Sequence, residues 1–347
     1  MKRFIFGEGP PMKLKNTTVK DIAEYTHLSL GTVSKYINGG QVKDDNKRKL
    51  DEAIANLDYH VNTFARGLKT QKSKTIGILI PALDNYFCTN LVEDIERTLY
   101  RFGYSLLVCG YQNNPQLIQR KLDFLASRMV DGIIVVPNAT NDSAFNLDSV
   151  SDRPVILVDR YVNYLDLDTV GIDSVKISTQ VTNYLVEQGH KKIAIILGSD
   201  TISTSIDRKN GFMTAMNAQG LTVPSEYIKS GEYSYQHGYE AMKEILTLRD
   251  RPSAVFATNF DLTLGMMQAV KEDKIVVPED ISIVGFDNLL YSRLFTPSLT
   301  IVEQPLEEIS SEVVKVLMER LKDKKVKSHK TIKLEASLVQ GSSVKKI

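Results

Sequence analysis

The sequence is poor in the features that would place a protein outside the cell or around a metal ion. It holds only two cysteines in 347 residues, Cys88 and Cys109, and no Cys and His cluster at metal-ligand spacing accompanies them. Its apolar runs, such as Ile76–Ile80, fall far below the roughly 20 residues that span a membrane. Residues 1–8 lack the apolar stretch of a secretion signal. We therefore expect a soluble, cytoplasmic protein with no metal, no cofactor and no membrane partner.

Net charge is also low, at +1, which by itself argues against a nucleic-acid partner. The charge is unevenly distributed, however. Residues 1–75 carry 14 Lys and Arg against 8 Asp and Glu, a balance of +6, whereas the other 272 residues carry 29 against 34, a balance of −5. A small basic head on a large acidic body is the asymmetry expected of a DNA-binding module joined to a second module. Chance clustering of surface lysines gives the same charge balance. The sequence motifs of the head are therefore needed to distinguish a DNA-binding module from chance.

Residues 18–59 are predicted to form three short helices. Thr18-x-x-Asp21 is a capping-box pattern, in which both side chains satisfy early backbone N–H groups of the first helix. Ser29 is a favourable N-cap for a second helix over residues 30–37. Two short helices joined by a tight turn, with a third as support, are typical of the helix-turn-helix.

The ends of these helices are predicted from residues that favour turns and caps. We expect a turn at residues 25–28 and an end to the second helix at residues 38–40, Asn-Gly-Gly, since Gly and Asn tolerate a positive φ. The third helix begins at Asp44 or Asp45, and its core stripe is formed by Leu50, Ile54 and Leu57.

The second helix would enter the major groove of DNA. Its hydroxyls and its lysine suit phosphates or base edges, and its first leucine suits a thymine methyl. The outward-facing residues are Leu30, Gly31, Thr32, Ser34 and Lys35. A generic three-helix bundle with a polar face would show the same periodicity, and that alternative stays open at this point.

Two stretches of the head, Thr18–Ala23 and Ser29–Asn38, closely resemble the headpiece of LacI/GalR-family transcriptional regulators. Residues 59–68 are similar to the hinge of that family, which becomes a short helix on DNA and inserts a Leu into the minor groove. The resemblance implies that Leu68 is this wedge, which bends the DNA at the cost of unstacking one base step. The implied DNA-binding residues are Thr18, Leu30, Gly31, Thr32, Ser34, Lys35, Asn38, Asn62, Arg66 and Leu68.

Two departures from the family pattern bear on DNA recognition. Val61 stands where the family usually has a Pro before the hinge, so entry into the hinge is less rigid. Gly31 stands where the family often has a base-reading side chain, so the operator sequence does not follow from better-known relatives.

The body alternates continuous apolar runs with helical stretches. This pattern predicts buried parallel strands with helical crossovers, in a doubly wound α/β fold of two lobes. The predicted strands are Ile76–Ile80, Ser105–Cys109, Gly132–Val136, Val155–Val158, Ile193–Leu197, Ala254–Ala257 and Ile281–Phe286. There is no Gly-x-Gly-x-x-Gly, no Gly-x-x-x-x-Gly-Lys and no Gly-x-Ser-x-Gly, so an enzyme is not favoured.

The family resemblance extends over the body through several landmarks, among them Leu157–Arg160, Asp207–Phe212 and Val277–Asp287. It implies a two-lobed domain similar to periplasmic sugar-binding proteins, with an effector cleft between the lobes. The implied effector-binding residues are Tyr86, Phe87, Asp159, Thr204, Arg208, Tyr233, Phe256, Phe260 and Asp287. Local alternatives stay open, since Asp159 would also serve as a helix cap and Phe256 as a core residue.

Two positions of the cleft depart from relatives. The family commonly has Asn-Asp where this chain has Asn259-Phe260, which replaces an acid by an aromatic ring and shifts the cleft from a plain hexose toward a nucleoside, an aryl glycoside or a larger oligosaccharide. Ile202 stands where purine-responsive relatives have Arg, which lowers the expectation of a purine.

The sequence therefore predicts an N-terminal all-α helix-turn-helix headpiece with a hinge, followed by an α/β periplasmic-binding-protein-like body. The expected divisions are a disordered extension 1–16, the DNA-binding domain 17–61, the hinge 62–74 and the effector-binding and dimerisation domain 75–347. The expected function is repression of a sugar-utilisation operon, by a homodimer on a near-palindromic operator in double-stranded DNA, controlled by a sugar-like effector. The alternatives are a corepressor-dependent regulator, and a sugar-sensing or sugar-processing protein whose headpiece is vestigial. A dimer rather than a tetramer is expected because residues 341–347 contain no leucine heptad.

Overall fold

The computed structural model describes residues 17–37, 39–59, 72–138, 145–287, 289–323 and 328–347. The chain divides into two compact units, residues 1–73 and 74–347. The predicted extension 1–16 and most of the predicted hinge lie outside the described residues, and so do Asn38, Asn62, Arg66 and Leu68.

The described residues of the first unit form three helices, α1 (Val19–Thr26), α2 (Leu30–Ile37) and α3 (Asp44–Asn56). Their core is small and fully apolar, because each helix turns one apolar face inward. Ile22, Val33, Leu50 and Ala53 are all completely buried. Ile54 and Leu57, predicted as core, are half-buried and pack at the edge of this cluster.

The predicted caps of the head are confirmed. Thr18 and Asp21 form the capping box of α1, and the Ser29 hydroxyl accepts a hydrogen bond from the Thr32 amide at 3.2 Å. The predicted turn at residues 25–28 was placed too early. The α1 helix continues to Thr26, whose buried hydroxyl donates to the Ile22 carbonyl at 2.7 Å and so extends the last turn.

The second unit contains twelve strands and eight α-helices among its described residues. In chain order these are β1 (Thr75–Ile80), α4 (Tyr86–Tyr100), β2 (Ser105–Gly110), α5 (Pro115–Ser127), β3 (Gly132–Val135), β4 (Val155–Val158), β5 (Asp168–Ile172), α6 (Ser174–Glu187), β6 (Ile193–Leu197), α7 (Ser203–Ala218), β7 (Ile228–Ser230), α8 (Tyr235–Thr247), β8 (Ala254–Ala257), α9 (Phe260–Glu272), β9 (Ser282–Phe286), α10 (Leu289–Ser292), β10 (Thr300–Glu303), α11 (Leu306–Lys322), β11 (Thr331–Leu334) and β12 (Ser337–Val339).

These strands form two six-stranded sheets with matching order. Lobe 1 is built on β11-β5-β4-β3-β1-β2, and lobe 2 on β12-β10-β9-β8-β6-β7. All pairs are parallel except β10 with β12. Parallel strands covered by helices on both faces are buried on both sides, which explains the continuous apolar runs of the sequence. The predicted doubly wound, two-lobed fold is confirmed.

The chain passes between the lobes three times. It leaves lobe 1 after β5 and enters lobe 2, where α6 packs on α7. It returns after β10, since α11 packs on α4 and on strands of lobe 1. It crosses again between β11, which pairs with β5, and β12, which pairs with β10. Both lobes are therefore completed by the last third of the chain.

Candidate functional site

The exposed face of α2 presents most of the residues predicted to contact DNA. Leu30 is 49% exposed, Gly31 and Lys35 are exposed, and Thr32 and Ser34 are half-buried, while Val33 points into the core. The Thr32 hydroxyl lies 2.9 Å from the Ser29 hydroxyl, so part of its hydrogen-bonding capacity is used within the helix start.

The helices of the head are fixed to one another by polar contacts as well as by their core. The Tyr36 hydroxyl of α2 donates to the Asp51 carboxylate of α3, and Asn56 of α3 donates to the Tyr25 hydroxyl of α1 at 3.0 Å. The first contact joins α2 to α3 and the second joins α3 to α1, so the three helices keep a fixed arrangement.

In the body, two aspartates follow equivalent strands of the two lobes. Asp159 comes directly after β4 and Asp287 directly after β9, each in the left-handed region with φ of 66° and 63°. Each donates its backbone N–H to the neighbouring strand, Asp159 to Val170 at 2.9 Å and Asp287 to Val302 at 2.7 Å. Because both lie at the carboxyl ends of parallel strands, their side chains belong to the edge where α/β folds bind ligands.

The lobe 1 carboxylate is paired with a cation. Arg160 Nε lies 3.3 Å from Asp159 Oδ2, and Arg160 Nη1 donates to the Pro137 carbonyl at 3.0 Å. The same guanidinium lies 5.9 Å from the ring of Tyr233, which belongs to lobe 2. Arg160 therefore reaches from lobe 1 toward lobe 2 across the cleft.

The lobe 2 carboxylate is held differently. Asp287 is only 8% exposed, and Gln304 Nε2 donates to its Oδ1 at 2.9 Å. Burial raises the pKa of this carboxyl to about 7, although Arg208 and the Gln304 hydrogen bond act in the opposite direction. Near neutral pH this group exists in both protonation states, so it can either donate to or accept from a ligand.

Four buried polar atoms around the cleft have no hydrogen-bond partner among the described residues: Arg160 Nε, which lies in the ion pair with Asp159, Arg208 Nε, Tyr233 Oη and Gln304 Oε1. Arg208 is nevertheless held in place, since its Nη1 donates to the Thr258 carbonyl at 2.5 Å and its guanidinium lies 4.0 Å from the Phe286 ring. The Tyr233 ring lies directly on Gly198, where a Cβ would come within 2.6 Å of it. Buried polar atoms without partners are rare in folded proteins and are commonly satisfied by a ligand or by water.

Aromatic and polar side chains also meet from the two lobes. The Tyr86 ring of lobe 1 lies 4.9 Å from the Phe260 ring of lobe 2, and Phe260 lies 5.6 Å from Tyr291. Beside them, Asn85 Nδ2 donates to Asp261 Oδ2 at 3.3 Å. Both contacts start from helix N-termini, those of α4 and α9, which follow β1 and β8.

Two of the predicted cleft residues are placed in the apolar core. Phe256 is completely buried and stacks with Phe286 at 6.4 Å, which favours the core alternative, and its contact with a ligand stays a prediction. Phe87 is 9% exposed and packs with Cys88 and other core residues. Thr204 is buried in the first turn of α7, close to Arg208 in sequence, and its ligand contact stays a prediction.

Sequence reasoning missed several residues at the cleft, namely Asn85, Arg160, Asp261, Tyr291 and Gln304. Arg160 adjoins the predicted Asp159 at a strand end, which is a signal that would have found it. Gln304 follows β10, a strand that the apolar pattern did not predict. Within the described ranges, no group of three or more His, Cys, Asp or Glu is placed to hold a metal ion. No helix in the described part of the chain is long and apolar enough to cross a membrane.

Comparison with known proteins agrees with this architecture. A periplasmic binding protein-like domain model matches residues 182–344. The chain is 34% identical over 330 residues to the HTH-type transcriptional repressor PurR of Histophilus somni strain 2336, which covers 94% of this chain and 99% of that protein.

Two solved structures show the same fold. The Lac repressor dimer bound to operator and the anti-inducer ONPF aligns over 95% of this chain and all of that one, with a TM-score of 0.86 and 22% identity. The transcriptional regulator CelR in complex with cellobiose aligns over 94% of this chain and 99% of that one, with a TM-score of 0.72 and 24% identity. The curated relatives are transcriptional repressors and not enzymes. The chain belongs to the LacI family of DNA-binding transcriptional repressors.

Proposed function

We propose that this protein is a cytoplasmic, homodimeric repressor that binds a near-palindromic operator through α2 and is controlled by a sugar or sugar derivative in its cleft. The main support for DNA binding is the exposed polar face of α2 on a folded three-helix head, in a chain of this family. In such a complex the start of α2 lies in the major groove, with Leu30 at its tip and Lys35 near the phosphates.

The proposal that the effector is a sugar or sugar derivative is supported by the polar groups of the cleft. The unpartnered Arg208 Nε is a donor, Gln304 Oε1 is an acceptor, and the Tyr233 hydroxyl can be either. Asp287 adds a carboxyl that accepts or donates around neutral pH. A ligand that satisfies all four must offer several donors and acceptors close together, as the hydroxyls of a sugar do. The Tyr233 ring offers an apolar face to the carbon skeleton of such a ligand.

The dimer is supported by the symmetry of operators and by the surface of lobe 2. Two heads bind two half-sites about one helical turn apart, so a palindrome requires two copies of the chain. On lobe 2, Leu290 is 68% exposed and Leu294 is 73% exposed, within a few residues of each other. Exposed apolar side chains grouped in this way commonly mark a protein–protein interface.

DNA binding is tested by selection of operators from a randomised near-palindromic duplex library, followed by anisotropy measurements on the selected duplex. Lys35→Ala is expected to weaken binding to every duplex by a similar factor and to reduce the salt dependence by about one phosphate contact per head. The matched control is Arg249→Ala, an exposed cation of lobe 2. Binding no stronger than to unrelated duplex DNA would contradict the proposal, and equal weakening in the control would contradict the role of α2.

The effector is tested by a thermal-shift screen of monosaccharides, disaccharides and nucleosides, since a ligand that binds the folded state raises its melting temperature. Operator affinity is then measured with and without each hit. Weaker DNA binding identifies an inducer, and stronger binding identifies a corepressor. Arg208→Lys is expected to abolish the shift of every hit, because a lysine cannot reproduce the fixed donor geometry of the guanidinium. An unchanged shift in that variant would place the ligand outside this cleft.

A further inference from the structure

One junction between the lobes is aromatic. Tyr86, at the start of α4 in lobe 1, contacts Phe260, at the start of α9 in lobe 2, with ring centroids 4.9 Å apart. Phe260 also contacts the edge of Tyr291 of its own lobe at 5.6 Å. Tyr86 and Phe260 are half-buried, so their contact removes apolar surface of both lobes from water.

A second junction is polar and lies elsewhere along the cleft. After β4 of lobe 1, the Tyr161 backbone N–H donates to the Ser203 hydroxyl at 3.1 Å, and its own hydroxyl donates to Asp207 at 3.3 Å. Ser203 and Asp207 belong to α7 of lobe 2. Since β3 lies between β1 and β4, the strands that lead to the two junctions are about 10 Å apart in the sheet. The lobes are thus joined at two separate places.

Within the aromatic junction, the ring pair and the neighbouring hydrogen bond differ in the cost of desolvating a charge. The neighbouring hydrogen bond from Asn85 to Asp261 comes with a cost, because burial raises the pKa of the Asp261 carboxyl and Asn85 offsets this only in part. The ring contact has no such cost. An aromatic pair of this kind changes an equilibrium roughly 2- to 13-fold beyond its area burial.

We propose that the contact between Tyr86 and Phe260 holds the two lobes closed in the free protein, before any effector binds. Phe260 is then a residue that sets the lobe equilibrium on which an effector acts. The inference rests on the proposed function only where the cleft is called an effector site. The aspartate that the family commonly has at this position would not pack against Tyr86, so a ligand-free closure of this kind would be a property of this chain.

The test measures lobe separation in the full-length protein without any ligand. Fluorescent dyes are attached to Arg120→Cys on α5 of lobe 1 and Lys271→Cys on α9 of lobe 2, both exposed positions. The native Cys88 and Cys109 are 2% and 6% exposed and react slowly. Single-molecule energy transfer is compared in this background, in Phe260→Ala and in the control Phe124→Ala, which removes an exposed phenylalanine of lobe 1 away from the junction.

The background protein and the Phe124→Ala control are expected to give one narrow, closed distribution. Phe260→Ala is expected to lower the closed-to-open ratio roughly 2- to 13-fold and to add or enlarge a population with greater dye separation. A Phe260→Ala distribution identical to that of the control overturns the inference. An open distribution already in the background protein overturns it as well.

Two further readouts separate this inference from the proposed function. Circular dichroism and the unfolding midpoint show that Phe260→Ala is folded, so an opened distribution is not the result of unfolding. If the protein fails to bind operator DNA, the proposed function is wrong, but the measured lobe separation still tests the inference. If the lobes open in Tyr161→Phe, which lacks the hydroxyl, but not in Phe260→Ala, then closure depends on the polar junction. That result would contradict the inference.

Discussion

The two lobes have the same strand order but use their equivalent aspartates differently. Asp159 and Asp287 share the left-handed backbone and the same bond to the next strand. Asp159 is ion-paired with Arg160, whereas Asp287 has a neutral partner, Gln304, and no ion pair within 4.0 Å among the described residues. A repeated backbone therefore fixes where a carboxyl stands, while the neighbouring side chain differs, a cation in lobe 1 and a neutral amide in lobe 2.

A second difference lies at the opposite ends of the sheets. In lobe 1, β5 begins with the buried Asp168, which accepts two hydrogen bonds of 2.7 Å from Arg320 of α11. In lobe 2, β10 begins with the buried Thr300, whose backbone and side chain bond to Ser343 and Gly341. At this end of the sheet, lobe 1 is stabilised by a buried ion pair and lobe 2 by neutral hydrogen bonds.

The largest expected effect is the loss of that ion pair. Asp168→Asn leaves Arg320 buried without its counter-charge and should lower the free energy of unfolding by about 3–5 kcal/mol. Ser343→Ala, which removes the neutral contact of lobe 2, should cost about 1–3 kcal/mol. Urea unfolding at pH 7 measures both. Equal losses would show that the buried ion pair of lobe 1 and the neutral hydrogen bonds of lobe 2 stabilise the protein to a similar extent.

Replacement of the two cleft aspartates should change stability in opposite directions at neutral pH. Burial raises the pKa of Asp287 to about 7 in the folded protein. The unfolded chain loses this proton at a lower pH than the folded protein does, so the free energy of unfolding falls as pH rises toward that value. Asp287→Asn should therefore stabilise the free protein by an amount that grows from near zero around pH 4 to as much as about 4 kcal/mol above pH 7.

Asp159→Asn is the matched variant of lobe 1. It leaves Arg160 without its carboxylate, so it should destabilise the protein at neutral pH. Melting temperatures of both variants between pH 4 and pH 8 provide the measurement. A pH-independent difference between Asp287→Asn and the parent protein would show that this carboxyl does not titrate in that range.

The smallest expected effect compares two tyrosines that follow the edge strands β2 and β7. The Tyr111 hydroxyl is buried and donates to the Val136 carbonyl at 2.9 Å, while the buried Tyr233 hydroxyl has no partner among the described residues. Tyr111→Phe should cost about 1–2 kcal/mol of unfolding free energy, and Tyr233→Phe should stay within about 0.5 kcal/mol. A cost for Tyr233→Phe as large as that for Tyr111→Phe would mean that its hydroxyl already has a structural partner.

The sequence predicts the framework of both units well. The helix over residues 30–37 and the strands Val155–Val158, Ile193–Leu197 and Ala254–Ala257 agree residue for residue, since caps and continuous apolar runs mark them clearly. The strands that were missed are short or lack such a run. For example, β7 has three residues and β11 alternates exposed with half-buried positions.

The apolar pattern alone predicted the site only where a residue stands at a predicted strand end, whereas Tyr86, Arg208, Tyr233 and Phe260 came from the family resemblance. Asp159 and Asp287 stand at such strand ends, and both line the cleft edge. The contacts between lobes join residues that are far apart in the chain, such as Asn85 and Asp261, which lie 176 positions apart. No local sequence pattern predicts a contact between residues so far apart in the chain. For a related reason the sequence pattern does not distinguish a ligand contact from a core position at Phe256, since an aromatic residue inside a strand has the same pattern in both cases.

The three passages of the chain between the lobes have a consequence for synthesis and folding. Lobe 1 has no complete sheet until β11, residues 331–334, has been made, and lobe 2 none until β12, residues 337–339. Neither lobe is a continuous piece of the gene, so neither can finish folding on the ribosome ahead of the other, and pairing over such long separations is slow. Removal of residues 331–347 would expose an unpaired edge strand in each sheet at once, and we expect aggregation rather than a smaller working protein.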